Sequence, residues 1–125
     1  MLLFSLFSLI VGVLAWDSSM KAEVMDTIQH EIAEHKVILY SKTYCRFSKK
    51  IKALLHHYVL EDIKTIELNL QPHGREMLHC LEQLSGIHTV PQLFVNGSFI
   101  GGYTDTQELE DQGELRKIFE SAGVL

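Results

Sequence analysis

Cys45 is the residue whose type and surroundings best suit a reactive side chain. It follows a short apolar run at residues 36–40, which predicts a buried strand, and it precedes a pattern of apolar residues with helical spacing. A cysteine at the start of a helix lies at the positive end of the helix dipole, which stabilises the thiolate over the thiol. Lys42, Arg46 and Lys49 add positive charge close to it. We therefore expect Cys45 to have a lowered pKa and to act as a nucleophile towards disulfides.

The other cysteine, Cys80, lies in an apolar helical stripe between Met77 and Leu84, so we interpret it as a buried packing residue. Two cysteines are too few for the disulfide framework of a small secreted domain, and the fold must therefore depend on its hydrophobic core. The 125 residues supply enough apolar material for one such core. We expect a single domain in which any thiol chemistry is catalytic.

A second candidate functional feature is the start of a helix near Thr104. Residues 104–107 (TDTQ) fit a capping box, with Thr104 as the N-cap and Gln107 as the third helical residue. The first backbone N–H groups of a helix have no partner within the helix, and they bind carboxylates well. This segment is therefore a candidate anion site.

The elements that position these residues follow from the spacing of apolar side chains. Spacings of three and four predict a helix over residues 19–33, and a further helix follows Cys45. Residues 63–69 alternate as a strand does, and the stripe around Cys80 predicts a helix that ends at Gly86. The order after the first helix is β-α-β-α.

The C-terminal part of the chain predicts a β-hairpin and a helical tail. Residues 92–100 hold two short apolar runs around Asn96-Gly97, a dipeptide suited to a type I′ turn because both residues tolerate positive φ. The apolar residues of the tail can cover the sheet: Leu109, Leu115, Ile118 and Phe119.

Three segments in this order resemble the signature of the glutaredoxin family. They are residues 42–48 (KTYCRFS), residues 89–91 (TVP) and residues 101–105 (GGYTD), and the resemblance spans roughly residues 36–119. It implies an α/β protein with a thioredoxin fold, in which a four-stranded mixed sheet is flanked by helices. It also implies that glutathione is the electron donor.

The resemblance implies roles for individual residues. Cys45 would be the nucleophile, and a cis-proline at Pro91 would turn the Val90 backbone towards the cysteinyl part of glutathione. The γ-glutamyl end would lie at the start of the helix near Thr104, with its ammonium group close to Asp105. The full set of implied glutathione-binding residues is Lys42, Tyr44, Thr89, Val90, Pro91, Gly102, Thr104 and Asp105.

Ser48 occupies the position at which a second cysteine would close a disulfide with Cys45. The dithiol route is therefore closed at that position, and we expect a monothiol mechanism that reduces mixed disulfides between glutathione and protein thiols. Ser48 itself is expected to act mainly as a polar residue at the helix start.

Two other functions fit the same motifs. In one, two chains and two glutathione molecules hold a [2Fe-2S] cluster through paired Cys45 thiolates, although cluster carriers have glycine where this chain has Arg46. Cluster carriers also have a longer loop between the lysine and the cysteine, so the short spacing from Lys42 to Cys45 favours catalysis. We expect a monomer, and the cluster-bridged dimer stays open. In the other, Cys45 is a thiol sensor without turnover, which Leu78 leaves open because many relatives carry glutamine there.

Charge and histidine spacing argue against other classes of function. The formal net charge of -5 does not suit binding to nucleic acid, which requires a basic surface. His30 and His35 are one residue too far apart for the His-Glu-x-x-His metalloprotease motif, and His56 and His57 point to different helical faces. We therefore expect no zinc site.

Residues 1–15 carry no charged side chain and are mostly apolar, which is typical of a signal peptide. We expect cleavage after Ala15, and contact with a membrane only if this segment is kept as an anchor. Residues 16–34 are then a helical extension, and residues 35–125 are the glutaredoxin domain. We expect the protein to be located in the lumen of the endoplasmic reticulum or Golgi, or outside the cell. The Asn96-Gly97-Ser98 sequon matters only in that setting.

Overall fold

The computed structural model describes the backbone of residues 2–125 and the side chains of residues 18–125. The side chains behind the signal-peptide prediction therefore lie outside the described residues. In the described part of the chain, no helix is both long and apolar enough to cross a membrane.

The fold is a four-stranded mixed sheet with helices on both faces. The strands are β1 (Val37–Ser41), β2 (Ile63–Glu67), β3 (Gln92–Val95) and β4 (Ser98–Gly101), and they lie in the order β2-β1-β3-β4. The helices are α1 (Leu2–Glu34), α2 (Arg46–His56), α3 (Gly74–Ser85), α4 (Tyr103–Asp111) and α5 (Glu114–Ala122). A short 3-10 turn, Leu68–Leu70, follows β2.

The register of the sheet determines which loops meet. β1 runs parallel to β2, with Val37 opposite Ile63, and antiparallel to β3, with Tyr40 opposite Gln92. The carboxyl end of β1 and the start of β3 therefore lie at the same edge of the sheet. As a result, the loop that contains Cys45 comes close to the segment before Gln92.

Alternate residues of β1 enter two separate cores. Val37 and Leu39 pack with α2 and α5 on one face, where Phe119 is fully buried. Ile38 and Tyr40 pack with α1 and α3 on the other face. This alternation is the expected behaviour of a strand that is covered on both sides.

Helix α1 covers the second face through its C-terminal half. Ile28 is fully buried there and Val24 is nearly so. The Tyr40 hydroxyl, at the far end of a buried ring, donates a hydrogen bond of 3.2 Å to Glu31 Oε1. The second half of α1 is therefore packed against the sheet and α3.

The turns that the sequence predicts are confirmed. Asn96 and Gly97 both have positive φ, 50° and 82°, and Gly86, the C-cap that follows α3, has a φ of 83°. The predicted helical tail is also present, and it consists of two helices, α4 and α5. Gly113, with a φ of 74°, begins the second of them. The second strand ends earlier than predicted, at Glu67, where the chain enters the 3-10 turn.

Candidate active site

Cys45 is the residue at which the loop after β1 becomes helix α2. Its N–H donates to the Lys42 carbonyl at 3.2 Å, which closes a tight turn, and its own carbonyl accepts the Lys49 N–H at 3.0 Å. Cys45 is thus the N-cap of α2, as the sequence predicts, with extended backbone angles and a partly exposed side chain. The thiol lies at the positive end of the helix.

The pKa of Cys45 is lowered, although burial of the thiol alone would raise it. The largest lowering effect is a hydrogen bond from the Ser48 side chain, followed by the backbone N–H groups of Ser48 and Phe47 and then by the Lys42 ammonium. The lowered pKa agrees with the sequence-based expectation, but its main cause does not. Hydrogen bonds to the thiolate, rather than the charges of Arg46 and Lys49, stabilise it.

Ser48 has a larger role than the sequence indicates. Its side chain is fully buried in the first turn of α2, and its Oγ accepts the Lys42 N–H at 3.3 Å. Because Oγ is the acceptor in this bond, its own O–H can donate to the Cys45 sulfur. Ser48 therefore connects the loop to the thiol as well as filling the position of a second cysteine.

Replacing Ser48 with alanine should raise the pKa of Cys45, because the strongest hydrogen bond to the thiolate is lost. Less thiolate at neutral pH should slow alkylation of Cys45 by about threefold to tenfold, since a typical hydrogen bond contributes a net free energy of roughly 1 kcal/mol. The rate should recover at higher pH. The measurement is the pH profile of iodoacetamide modification.

The matched control for this variant is Ser121→Ala, which removes an exposed hydroxyl from α5. Its pH profile should coincide with that of the unmodified sequence. An unchanged profile in Ser48→Ala would show that the serine hydroxyl does not stabilise the thiolate.

The segment before β3 approaches the thiol from the side. The Val90-Pro91 peptide bond is cis, as the resemblance implies, and the Val90 carbonyl lies 3.7 Å from Cys45 Sγ. Gln92, which the sequence analysis did not single out, is fully buried and holds this segment in place. Its Nε2 donates to the carbonyls of Ile87 at 2.9 Å and Thr89 at 3.0 Å.

The capping box predicted at the start of α4 is wrong. The N-cap is Gly102, not Thr104, because extended backbone at Gly102 follows a φ of 147° at Gly101 and lets the helix begin at Tyr103. Thr106 donates its hydroxyl to the Gly102 carbonyl at 2.7 Å. The Gln107 amide bonds forward to Asp111, so it does not reach back to an N-cap.

The corrected cap still leaves an anion site. The N–H of Thr106 is the first to bond back, to the Gly102 carbonyl at 3.1 Å, so the preceding N–H groups of α4 face outwards without an intrahelical partner. A side chain at Gly101 would meet Asp105, because its Cβ would lie 2.5 Å from Asp105 Cβ. Glycine at this position allows the Asp105 carboxylate to stay close to the strand end.

The predicted glutathione-binding residues line two neighbouring depressions rather than one groove. Six of them line a depression of about 220 Å³ together with Phe47 and Tyr103: Thr89, Val90, Pro91, Gly102, Thr104 and Asp105. Lys42 and Tyr44 line a second depression of about 480 Å³. Cys45 follows Tyr44 in the chain and contacts Val90, so the thiol lies next to both.

Besides Lys42 and Tyr44, the second depression is lined by Asn69, Arg75 and Leu78. Asn69 accepts the Thr43 N–H at 3.0 Å and donates to the Thr43 hydroxyl at 2.7 Å, which fixes the loop before Cys45. Arg75 brings an exposed cation to the same depression as Lys42. Leu78 also lines it and supplies an apolar wall.

Comparison with known proteins agrees with this geometry. The family model for glutaredoxins matches residues 37–100. An uncharacterised monothiol glutaredoxin of Caenorhabditis elegans is 43% identical over 109 residues, which cover 87% of this chain and 74% of the relative. A chloroplastic monothiol glutaredoxin of Arabidopsis thaliana is 36% identical over 106 residues, which cover 84% of this chain and 59% of that relative.

Solved structures show the same fold. Oxidised glutaredoxin 2 from Chlamydomonas reinhardtii has a TM-score of 0.79 at 37% identity, covering 84% of this chain and 98% of that one. A buckwheat glutaredoxin in complex with glutathione has a TM-score of 0.81 at 26% identity, covering 86% and 96%. The predicted thioredoxin fold with a four-stranded mixed sheet is confirmed. This chain belongs to the glutaredoxin family.

Proposed function

We propose that this protein is a glutathione-dependent oxidoreductase that reduces mixed disulfides between glutathione and protein thiols. The observation that carries the proposal is one partly exposed cysteine, Cys45, at a helix N-terminus, with a lowered pKa and a buried serine in place of a second thiol. Such a site favours nucleophilic attack but cannot form a disulfide between positions 45 and 48.

The reaction proceeds through two thiol-disulfide exchanges at Cys45. First, the thiolate attacks the glutathionyl sulfur of the substrate, the substrate disulfide breaks, and the protein thiolate leaves and takes a proton from water. Second, the thiolate of a free glutathione attacks the glutathionyl sulfur on Cys45. Glutathione disulfide leaves, and the Cys45 thiolate is restored to its hydrogen bond with Ser48.

The charges around Cys45 fit the two ends of a glutathionyl group. The γ-glutamyl end carries a carboxylate, which suits the free N–H groups at the start of α4, and an ammonium group, which suits Asp105. The glycyl carboxylate at the other end suits the cations of Lys42 and Arg75. Between these ends, the cysteinyl backbone would pair with Val90 while its sulfur faces Cys45.

Replacing Asp105 with asparagine should raise the KM for glutathione by about threefold to tenfold, because one partly exposed charge pair contributes roughly 1 kcal/mol. The pH profile of Cys45 alkylation should stay unchanged, since the pKa of Cys45 is lowered by Ser48, Phe47 and Lys42. The measurement is steady-state kinetics with glutathione varied at a fixed concentration of a mixed disulfide.

Asp111→Asn provides the control, because it removes a carboxylate from the other end of the same helix, α4. It should leave the KM for glutathione unchanged. Equal values of KM in Asp105→Asn and Asp111→Asn would show that Asp105 does not contact glutathione.

A [2Fe-2S] cluster-binding role is the alternative proposal for the same cysteine. Among the residues whose side chains are described, no group of three or more His, Cys, Asp or Glu could hold a metal ion. Cys45 would therefore have to share a cluster with glutathione and with Cys45 of a second chain. An absorbance spectrum of freshly purified protein distinguishes a coloured cluster protein from a colourless monomeric enzyme, and turnover distinguishes both from a thiol sensor.

We also propose that the protein acts in the secretory pathway or outside the cell. The proposal rests on the apolar, uncharged composition of residues 1–15. Asn96, which is exposed in the turn between β3 and β4, offers a readout, because its sequon can receive a glycan only after translocation into the lumen. A glycosidase-sensitive mass increase that requires Asn96 would support this location.

A further inference from the structure

The surface around Cys45 is basic although the whole chain is acidic. Five of the eleven Lys and Arg residues lie within residues 42–52, and no Asp or Glu occurs between residues 35 and 60. The formal net charge of the chain is -5, so this concentration of positive charge is local. It covers the active-site loop and the first two turns of α2.

Three of these cations are free to meet a partner. Lys52 is occupied by an ion pair with Glu67, at 2.5 Å. Arg46, Lys49 and Lys50 are exposed, and in the described part of the chain no carboxylate lies within ion-pair distance of any of them. Their charges are therefore not neutralised by the protein itself.

Two aromatic rings lie beside these cations. Phe47, half exposed in α2, stacks on Tyr103 of α4 with ring centroids 5.8 Å apart and an interplanar angle of 28°. The Lys50 ammonium lies 5.7 Å from the Phe47 centroid and 5.5 Å from the Tyr103 centroid. The pair thus connects the active-site helix to the start of α4, and Lys50 is held over it.

These contacts leave a cationic surface next to the reactive thiol and at the border of the depression assigned to the γ-glutamyl end of glutathione. Phe47 and Tyr103 form the outer wall of the depression that contains Pro91 and Thr104, and Arg46 follows Cys45 directly. Asp105 is an acidic residue on this side, and it lines the same depression, where glutathione is proposed to bind. A bound protein substrate would therefore meet the cations of α2 first.

We propose that Arg46, Lys49, Lys50 and the Phe47-Tyr103 pair select protein substrates whose glutathionylated cysteine is flanked by Asp or Glu. This inference rests on the proposed function and specifies its substrate class. Complementary charge concentrates an acidic partner at the site and speeds its encounter, and it disfavours a basic partner. The effect is sensitive to salt because the cations are exposed.

The test compares two glutathionylated peptides of equal length, one with Asp and Glu around the cysteine and the other with Lys and Arg. The ratio of their kcat/KM values should favour the acidic peptide by about tenfold at low ionic strength and should approach one at high salt. A ratio is used because any change in the reactivity of Cys45 affects both peptides equally.

Lys49→Glu/Lys50→Glu should remove or invert the preference. Arg116→Glu/Lys117→Glu is the matched control, since it changes the net charge by the same amount on α5, where Lys117 lines a depression with Asn96 at the opposite end of the sheet. The control should keep the preference of the unmodified sequence. A ratio near one in the unmodified protein, or equal ratios in the two variants, would overturn the inference.

The same experiment distinguishes a failure of the substrate preference from a failure of the proposed reductase activity. Turnover of both peptides without a preference contradicts the selection of acidic substrates but supports the reductase. No turnover of either peptide, nor of the mixed disulfide of glutathione and 2-mercaptoethanol, would overturn the proposed function and this inference with it.

Discussion

Replacing Cys45 with serine should reduce glutathione-dependent reduction of a glutathionylated protein by roughly 10³-fold or more, to the uncatalysed rate. A serine hydroxyl at this position stays protonated at neutral pH and cannot form the mixed disulfide that both steps require. The helix N-terminus and the glutathione-binding residues remain in place, so binding alone should not rescue turnover. The measurement is release of glutathione disulfide from the mixed disulfide under steady-state conditions.

Cys80→Ser is the matched control, because it also removes one thiol. Cys80 is nearly fully buried between α3 and α1, and its Sγ lies 3.9 Å from the Lys21 carbonyl. Burial raises the pKa of the Cys80 thiol, and the nearby Glu76 carboxylate raises it further. This variant should retain the activity of the unmodified protein, and loss of activity in it would mean that Cys80 takes part in resolving Cys45.

Replacing Ile28 with alanine should lower the free energy of unfolding by about 2–5 kcal/mol, the usual cost of truncating a large buried aliphatic side chain. Ile28 is fully buried against the face of the sheet that holds Ile38 and Tyr40, so the substitution would leave a cavity under α1. Denaturation by urea, followed by circular dichroism, gives the difference. The effect tests whether the second half of α1 is part of the folded core.

Val59→Ala is the control for this experiment, since the Val59 side chain is 87% exposed and its truncation should change stability by less than about 0.5 kcal/mol. Similar free energies of unfolding in the two variants would contradict the packing of α1 on the sheet.

Local patterns in the sequence were enough to predict Cys45 at the start of α2 and the turn at Asn96-Gly97. Both depend on neighbouring residues: the first on a strand followed directly by helical spacing, and the second on two residues that tolerate positive φ. The order of the strands and helices follows from the same kind of information. The position of Cys45 at the start of α2 could therefore be predicted without the tertiary structure.

Contacts between distant segments could not be predicted from local sequence patterns. The N-cap of α4 is Gly102 rather than the predicted Thr104, because the φ of 147° at Gly101 lets β4 run directly into the helix. This backbone conformation outweighs the favourable side-chain motif at Thr104. Ser48 became important only because the loop before Cys45 folds back onto it. A serine in the first turn of a helix, three residues after a reactive cysteine, is the signal that could have identified it.

Gln92 illustrates the same limit. Its side chain holds Ile87 and Thr89 from a fully buried position at the start of β3, next to Pro91. In the sequence it reads as an ordinary polar residue at a strand start. Only the pairing of β3 with β1 shows that this residue must be buried and that its amide fixes the segment facing Cys45.

Trapping the covalent intermediate tests disulfide exchange at Cys45 most directly. Reduced protein is mixed with glutathione disulfide and its intact mass and peptide map are recorded, before and after addition of excess reduced glutathione. We expect one glutathionyl group per chain, attached to Cys45, absent from Cys45→Ser and removed by reduced glutathione. No adduct, or an adduct confined to Cys80, would contradict the proposal that Cys45 exchanges disulfides with glutathione.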